Sequence, residues 1–459
     1  MNRVTKRAGI MLFFILVLVG GMCFFLWEFF TKSDQWVTFR GSPHVYQAGS
    51  SGSGTISDRE GVLLLDTRDG RTYARDEAVR RATLHWLGDR QGNISTKVVS
   101  QYVAQMSGFD LVNGVYAYGN PGGEATLTLS STAQTVALEA MAGRKGTVAV
   151  YNYRTGEILC ALSTPTFDPD QVPDISGDTT GAYEGVYVNR FANSAYIPGS
   201  IFKIVTTAVA LETVPGIESM TFTCTGVKEY GVDRVTCERA HGTLDLKGAL
   251  AHSCNCAFAQ ISELVGKENM MRYVDAFGIT KSQSFDGIET ARGNYDVTDA
   301  APVELAWSCI GQYTDQINPC RYMTFLGAIA GDGQAARPYL VSEIRVGSEV
   351  TYEAEGTKEE RIMSQALAQT LQEYLRNNVV SIYGADQFPG LQVCAKSGTS
   401  QLGGGQVSNA MFAGFVMDEE YPLAFFVTVE NGGYGASTCI PVISRVLTAC
   451  KAVLDGEAS

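Results

Sequence analysis

The sequence feature that most constrains the fold is an apolar run that starts directly after a Pro-Gly turn. Pro198-Gly199 interrupts the chain, and from Ile201 to Leu211 only Lys203 is charged. A helix that is apolar all round is a buried helix. The run therefore predicts an interior helix around which other elements must pack. Ser200 stands at the N-terminal end of this helix, a position that favours serine as a cap or first-turn residue.

Ser200 and Lys203 are three residues apart, so they share one face of the predicted helix. Burial lowers the pKa of a lysine because it disfavours the ammonium, and the helix N-terminal dipole acts in the same direction. A lysine that is neutral near physiological pH accepts the proton of a serine hydroxyl. The pair therefore indicates a nucleophilic serine. The spacing alone is a weak signal, because a lysine that extends to the surface explains it equally well.

The amino-terminal region predicts a membrane anchor. The stretch from Ala8 to Trp27 carries no charge, and it is long enough for a helix to cross about 30 Å of hydrocarbon. It ends in Trp27-Glu-Phe-Phe rather than in the small residues of a signal-peptide cleavage site. We expect residues 1–7 to be a cytoplasmic tail, residues 8–30 to be one transmembrane helix, and the rest to lie outside. Three basic residues before the run set this orientation: Arg3, Lys6 and Arg7.

Two parts follow the anchor. Residues 31–123 show no single strong pattern and predict a small module of mixed structure, with a Gly/Ser-rich flexible segment at Gln47–Thr55 and a closing turn at Asn120–Gly123. In residues 124–459, strand-like runs at both ends enclose a mainly helical stretch. The larger part is thus expected to be α/β (α+β), with one sheet built from both of its ends and a helical insert that carries Ser200. The expected strands are Thr147–Tyr151, Ile158–Leu162, Met411–Met417 and Pro422–Val429, and an acidic stretch, Glu349–Glu360, is expected to be a solvated loop.

Charge and cysteine content limit the possible functions. The chain has 35 basic and 48 acidic residues, a formal net charge of -13, which argues against nucleic acid as a partner. Cys224 and Cys237 flank a possible hairpin in an extracytoplasmic region, so a disulfide between them stays open. The spacing of His252, Cys254 and Cys256 matches no common zinc finger. We therefore expect no metal and no cofactor.

Two further clusters accompany Ser200 and Lys203. Ser253-Cys-Asn255, at a turn before a predicted helix, offers a hydroxyl and an amide two residues apart. Lys396-Ser-Gly-Thr399 is expected to follow an apolar strand, Leu391–Ala395, and offers a cation, two hydroxyls and a glycine that lets backbone approach a ligand. Together, in this order, the three clusters are typical of serine acyltransferases that act on penicillin and D-alanyl peptides.

On these motifs the sequence resembles the class B penicillin-binding proteins, the monofunctional peptidoglycan D,D-transpeptidases. The resemblance implies a penicillin-binding transpeptidase fold, similar to serine β-lactamases, with an antiparallel sheet and a helical subdomain. It covers most of the chain beyond the anchor. Besides the three motifs it rests on Gly54–Gly61, His85–Gly88, Gly146–Asp168, Asn189-Arg190, Ile310–Gln312 and Gly331–Gly333.

The resemblance also implies roles for the first two motifs. Ser200 would attack the carbonyl between the two terminal D-alanines of a stem peptide, and Lys203 would accept its proton. Ser253 would relay that proton to the leaving D-alanine. Asn255 would hold the stem backbone and the lysine ammonium by hydrogen bonds. No metal or cofactor takes part in this chemistry.

The third motif is implied to bind the substrate. Lys396 would attract the terminal carboxylate, helped by the hydroxyls of Ser397 and Thr399, while Gly398 keeps the strand open to the ligand. The backbone N–H groups of Ser200 and Thr399 would form the oxyanion hole. The expected ligands are peptidoglycan stem peptides and β-lactams. The family also implies a polytopic glycan-polymerising glycosyltransferase as a partner.

Two other functions stay open. A membrane-anchored serine β-lactamase shares the three motifs, but it needs a base that directs water at the acyl-enzyme. The nearest candidate for that base is Glu289, in a segment that reads as an exposed polar loop. A non-enzymatic penicillin-sensing receptor would need several membrane spans and an output domain such as an H-E-x-x-H protease. The sequence has one predicted span and no such motif.

Overall fold

The computed structural model describes residues 2–37, 54–68, 70–106, 111–112, 122–402 and 405–456. Most of the predicted flexible segment Gln47–Thr55, and the first half of the turn at Asn120–Gly123, lie outside these residues. The helices are α1 (Asn2–Val37), α2 (Glu77–Leu87), α3 (Val103–Met106), α4 (Ser131–Met141), α5 (Arg190–Asn193), α6 (Lys203–Thr213), α7 (Leu246–Ala251), α8 (Asn255–Ala276), α9 (Pro302–Ser308), α10 (Pro319–Ala330), α11 (Gln365–Asn378) and α12 (Gly435–Leu454).

The strands range from two to eight residues in length. They are β1 (Gly54–Ser57), β2 (Leu63–Asp66), β3 (Thr72–Tyr73), β4 (Gly123–Leu127), β5 (Gly146–Asn152), β6 (Ile158–Thr164), β7 (Phe222–Cys224), β8 (Val227–Tyr230), β9 (Asp233–Thr236), β10 (Gly242–Leu244), β11 (Ser284–Phe285), β12 (Ile288–Glu289), β13 (Val341–Val346), β14 (Glu349–Glu353), β15 (Val393–Ser400), β16 (Asn409–Val416) and β17 (Leu423–Val429).

Helix α1 has the length and surface of a membrane span. Its apolar side chains are exposed on every face, and Arg3–Ser33 is long and apolar enough to cross a bilayer. An exposed helix of this kind is stable only where hydrocarbon covers it. Helix α12 is also long and apolar enough to cross a membrane, by length and composition. However, it packs against α4 and β16 and carries Arg445 and Lys451. It is therefore a core helix of the larger part of the chain.

The central element is a five-stranded antiparallel sheet in the order β15-β16-β17-β5-β6. Strands from residues 146–164 thus pair with strands from residues 393–429, which confirms the sheet predicted from both ends. Along β5, Val148 and Val150 face the core beneath α4 and α12, while Ala149 and Tyr151 face the core shared with α6, α8 and α10. The strands of this sheet are mostly buried and rich in apolar residues because helices cover both faces.

A second sheet has six strands in the order β14-β13-β4-β1-β2-β3. Strand β4 pairs in parallel with β1 on one side and antiparallel with β13 on the other, so the two predicted parts share this sheet. The boundary at residue 123 stays a prediction. The acidic stretch Glu349–Glu360 is not all loop, because its first five residues form β14. This is an exposed, charged edge strand, a composition that discourages pairing with other chains.

Small hairpins interrupt the helical region between the two halves of the central sheet. The expectation of a mainly helical region was wrong in extent, because α6 to α10 form less than half of it and short strands and loops form the rest. The possible hairpin between Cys224 and Cys237 is confirmed as β8 and β9, which turn at Gly231 with φ 70°. Strands β7 and β10 form a second short ladder beside it. This hairpin region lies over the N-terminal end of α8, next to the site described below.

Candidate active site

Ser200 lies on a tight turn that packs between the backbone of Gly311 and the backbone of Thr399. It is part of a 3₁₀ turn, Gly199–Phe202, and α6 begins only at Lys203, so the predicted helix starts with a tighter first turn. Gly199 has φ 55° and its N–H donates to the carbonyl of Gly311 at 2.8 Å. A Cβ at Gly199 would lie 2.7 Å from the carbonyl oxygen of Thr399. Glycine is required there, and its absent side chain lets the nucleophile turn pack directly on β15.

Lys203 is fully buried, and its amine is the centre of the site. Nζ lies 2.7 Å from both the carbonyl oxygen of Ser253 and Oδ1 of Asn255. The hydroxyls of Ser200 and Ser253 are each 3.1 Å from the same nitrogen. A neutral amine has two N–H donors and one lone pair. The carbonyl and the amide take the two donors, so the lone pair remains for a hydroxyl proton.

The environment of Lys203 favours that neutral form. Burial lowers the pKa of Lys203 well below its ordinary value, and the positive charge of Lys396 adds to this effect. Three nearby cysteines, Cys237, Cys254 and Cys256, raise this pKa, but their effects are smaller than those of burial and Lys396. The predicted burial of this lysine is thus confirmed, and its surroundings shift its pKa in the predicted direction.

Ser253 and Asn255 are held by a turn between α7 and α8. Ser253 adopts φ 53°, in the left-handed region, which is costly for a residue with a side chain. This conformation presents both its carbonyl and its hydroxyl to Lys203. A second contact orients the side-chain amide of Asn255, because its Nδ2 donates to the carbonyl of Thr236 at 2.8 Å. Its Oδ1 consequently faces the amine.

Lys396 lies inside a strand rather than after one. The predicted strand Leu391–Ala395 was wrong at both ends, because β15 spans Val393–Ser400 and its pairing with β16 continues to Ser400. Nζ of Lys396 donates to Oγ of Ser253 at 3.0 Å and to the carbonyl of Ser397 at 2.9 Å. Burial lowers the pKa of Lys396 to about 7. The Ser253 hydroxyl therefore lies between two amines, with one on each side of it.

The remaining residues of the third motif line the edge of the sheet. The hydroxyl of Thr399 accepts a hydrogen bond from the N–H of Gly435, the first residue of α12, at 3.2 Å. A Cβ at Gly398 would lie 2.9 Å from the carbonyl of Pro198, so this glycine too permits close packing. Ser397 interacts with a residue that the sequence did not single out, Tyr383. The two hydroxyls are 3.0 Å apart, and the N–H of Ser397 donates to the tyrosine oxygen at 2.9 Å.

These residues open onto one polar groove of about 610 Å³. Ser200, Ser253, Asn255, Ser397 and Thr399 all line it, and the two buried lysines lie beneath its floor. A larger cavity, about 730 Å³, lies near α2 and α4 and includes none of the three motifs in its lining. The structure thus brings all three motifs to one groove.

The comparisons with known proteins agree with this arrangement. The penicillin binding protein transpeptidase domain matches residues 146–448, about two thirds of the chain. The chain belongs to this family. The family and fold class predicted from the sequence are therefore confirmed.

Two named proteins are similar to it along much of their length. The peptidoglycan D,D-transpeptidase PbpA of Mycolicibacterium smegmatis is 28% identical over 341 residues, which cover 68% of each chain. The stage V sporulation protein D of Bacillus subtilis is 24% identical over 413 residues, 85% of this chain and 60% of that protein.

Solved structures of this transpeptidase family have the same fold. A D,D-transpeptidase domain from Eggerthella lenta superposes with a TM-score of 0.74 at 27% identity, covering 88% of this chain and 99% of that one. A ceftriaxone acyl-enzyme complex of penicillin-binding protein A from M. tuberculosis superposes with a TM-score of 0.77 at 22% identity, with the same coverage.

Proposed function

We propose that this chain is a membrane-anchored peptidoglycan D,D-transpeptidase that works through an acyl-enzyme on Ser200. The observation that carries the proposal is the Ser200 hydroxyl 3.1 Å from a fully buried lysine amine. Both N–H groups of the neutral amine already have acceptors, so its lone pair is available for the serine proton. The transpeptidase names of the relatives support the reaction class.

In the acylation step, Oγ of Ser200 bonds to the carbonyl carbon between the two terminal D-alanines, and the C–N bond to the last D-alanine breaks. The serine proton moves to Lys203 and then, through the Ser253 hydroxyl, to the nitrogen of the leaving group. In the second step an amine from a neighbouring stem attacks the ester. The attacking amine gives up a proton along the same path in reverse, and Ser200 recovers its hydroxyl.

The opposite side of the groove would bind the substrate ends. Lys396, Ser397 and Thr399 offer a cation and two hydroxyls to the terminal carboxylate. The backbone N–H groups of Ser200 and Thr399 would stabilise the oxyanion, and losing one such donor costs about 2.7–4 kcal/mol of barrier. The acyl-enzyme complexes of penicillin-binding protein A with ceftriaxone, imipenem and penicillin G support β-lactams as ligands of the same groove.

A β-lactamase is the second candidate, and the position of Glu289 disfavours it. This residue ends β12, and its carboxylate accepts a hydrogen bond from the Ser282 hydroxyl at 2.9 Å. It does not line the groove that contains Ser200, within the part of the chain that the structure describes. Without a base directed at the ester, we expect the acyl-enzyme to wait for an amine rather than hydrolyse.

The test is acylation of the full chain in detergent with a fluorescent penicillin. Wild-type protein should carry one long-lived label, and Ser200→Ala should carry none while it melts as wild type does. Ser219→Ala, which changes an exposed serine outside the groove, is the matched control and should label normally. Label that persists on folded Ser200→Ala would refute the nucleophile. Hydrolysis of the adduct within seconds, abolished by Glu289→Gln, would instead establish a β-lactamase.

The membrane topology and domain limits are part of the same proposal. Residues 1–7 would be cytoplasmic, residues 8–30 would span the membrane once, and the module 31–123 and the transpeptidase region 124–459 would lie outside. Protease added to intact spheroplasts should degrade most of the chain. Full protection until lysis would contradict this orientation.

A peptidoglycan synthase complex that coordinates polymerization and crosslinking has a similar chain (TM-score 0.60, 23% identity, covering 72% of this chain and 63% of that one). We therefore propose a polytopic glycan-polymerising glycosyltransferase as the membrane partner.

A further inference from the structure

Four side chains with metal-binding atoms meet beside the groove and have no part in the proposed reaction. Cys224 ends β7, Cys237 follows β9, His241 precedes β10 and Cys254 caps α8. Their ligand atoms all lie within 4.8 Å of one another. All eleven cysteines are free thiols, so the disulfide left open between Cys224 and Cys237 is not formed.

Two ligand–ligand distances within this cluster match those expected around one tetrahedral ion, and the other pairs lie within 4.8 Å. Zinc binds sulfur at about 2.3 Å and imidazole nitrogen at about 2.0–2.1 Å, which places two sulfurs about 3.8 Å apart and a sulfur about 3.5 Å from a nitrogen. The Cys237 and Cys254 sulfurs are 3.8 Å apart, and the Cys224 sulfur is 3.5 Å from Nδ1 of His241. The two pairs therefore have the lengths of two edges of a zinc tetrahedron.

The backbone around the cluster also favours thiolates. The N–H of Cys256 donates to the Cys237 sulfur at 3.3 Å, and the N–H of Ala257 donates to the Cys254 sulfur at 3.4 Å. Such contacts orient metal-bound ligands and stabilise their charge. Cys256 and His252, the neighbours that the sequence suggested, are not members. The Cys256 sulfur contacts the carbonyl of Val235 and lies beside the Cys237 thiol, but it is outside the group of four, and His252 stacks on His241.

We propose that Cys224, Cys237, His241 and Cys254 bind one structural Zn²⁺ ion. Three thiolates and one imidazole are a set that zinc prefers, and four protein ligands leave no position for water. On binding, the three thiols each release a proton to solvent and the imidazole binds through its neutral Nδ1. The ion joins the hairpin region to the N-terminal end of α8.

This ion would act as a positioning element for the groove, a consequence that rests on the proposed function. Cys254 stands between Ser253 and Asn255, and Cys237 follows Thr236, whose carbonyl holds the Asn255 amide. The hairpins themselves have little core, and Val232 at the β8–β9 turn is fully exposed. The hydrogen bond between the Thr236 carbonyl and the Asn255 amide therefore has a zinc ligand next to each of its partners. One ion bound to both ligands holds the Asn255 amide and the Ser253 turn against Lys203.

Metal content of the full chain, purified in detergent without chelator, tests the site directly. We expect about one zinc per chain in wild type, and loss of it in Cys224→Ser, Cys237→Ser, Cys254→Ser and His241→Ala. Cys256→Ser, which removes a thiol beside the cluster, is the matched control and should retain zinc. A wild-type chain without zinc, or zinc kept by all four variants, would overturn the proposal.

Cobalt replacement tests the ligands without relying on variants that fail to fold. Wild-type chain stripped by a chelator and loaded with Co²⁺ should show intense thiolate-to-cobalt absorption and tetrahedral visible bands. A spectrum with no thiolate bands would refute the site. So would a disulfide between Cys237 and Cys254, found by thiol labelling in chain purified anaerobically.

The positioning role has a separate readout. Removing zinc from wild type should slow β-lactam acylation about 10–100-fold, the loss typical when a contact that supports a metal site is removed, and adding zinc should restore it. Ser200→Ala should bind zinc as wild type does. If that variant binds zinc but penicillin fails to label the wild type, the acyl-enzyme is refuted and the metal site is not. An acylation rate that does not change when zinc is removed would refute the positioning role.

Discussion

The two walls of the groove are held in place by different means. We call β15 the strand wall, and we call the Ser200 turn, α6 and the α7–α8 turn the helix wall. Every residue of the strand wall, from Val393 to Ser400, is paired with β16. The helix wall has no such ladder. It depends on four contacts to one buried amine, on a left-handed residue at Ser253 and on glycine packing at Gly199.

This difference determines how far a local change spreads. In the strand wall the backbone sets the geometry, so the loss of one side chain removes one interaction. In the helix wall the amine of Lys203 is itself the joint between two segments, so a change there removes chemistry and support together. Buried acceptors left without a donor cost about 1–3 kcal/mol each.

The largest effect is expected for Lys203→Met. This substitution removes the base and leaves the carbonyl of Ser253 and the Asn255 amide oxygen without their donor. Removal of a general base alone lowers a rate by about 10²–10⁴-fold, so the acylation rate constant for penicillin should fall at least that far. Lys203→Arg should lose as much, because arginine keeps its proton near neutral pH. An acylation rate within tenfold of wild type in either variant would show that the helix wall does not depend on this amine.

Asn255→Asp should have the next largest effect, and one that depends on pH. A carboxylate in place of the amide oxygen 2.7 Å from Nζ would favour the ammonium and raise the pKa of Lys203. The base would then be protonated at pH 7, where acylation should fall about 10–100-fold, and activity should recover as the pH rises. Asn255→Ala is the control, because it removes the same contact without adding charge. A pH profile that is the same for both variants would contradict the assigned role.

In the strand wall, Lys396 donates to the Ser253 hydroxyl, and we expect its largest effect to be on binding of the substrate carboxylate. Its pKa of about 7 means that it loses its charge as the pH rises through 7. Acylation by a β-lactam carboxylate should therefore decline above that pH in wild type, and Lys396→Met should lose about 10–100-fold, the strength of a charge-assisted hydrogen bond. The methyl ester of the same β-lactam should lack the alkaline decline. A decline that is equal for acid and ester would place the titrating group elsewhere.

The smallest effect is expected for Tyr383→Phe. The tyrosine hydroxyl bonds Ser397 through both its backbone N–H and its side chain, while the β15 ladder remains in place without it. Loss of these bonds should destabilise the chain by about 1–2 kcal/mol and slow acylation only a few-fold. Thermal melting measures the loss of stability, and the rate of penicillin acylation measures the effect on the reaction. A loss as large as that of Lys203→Met would mean that the strand wall is no more robust than the helix wall.

The sequence predicted the parts of the site that depend on short spacing. Ser200 and Lys203 share a face because they are three residues apart, and the order of the three motifs implied that they would meet. It did not predict the partners that arrive from distant segments. Tyr383 reaches Ser397 from a π-helical turn, Val379–Tyr383, that no local pattern marks.

The thiol cluster shows the same limit. Spacing directed attention to Cys254 with its near neighbours, whereas the structure groups it with Cys224, Cys237 and His241. The pairing of β7 with β10 brings Cys224 level with Gly242, next to His241, and a register of this kind cannot be read from either strand by itself. Strand β14 was missed for a different reason. Val350 and Tyr352 do alternate with polar residues in it, but the acidic stretch around them favoured a solvated loop.

The order of strands in the central sheet decides when during synthesis this enzyme becomes reactive. Val150 of β5 pairs with Phe425 of β17, so the sheet closes only after most of the chain has been made. Because chains are made from the N-terminus, Ser200 and Lys203 exist long before β15 is available to pack against Gly199. Contacts between such distant segments form slowly. A nascent chain that has not yet reached Ser400 thus exposes a nucleophile with no opposing wall, and neither stem peptide nor antibiotic finds a working site until the last strands have been added.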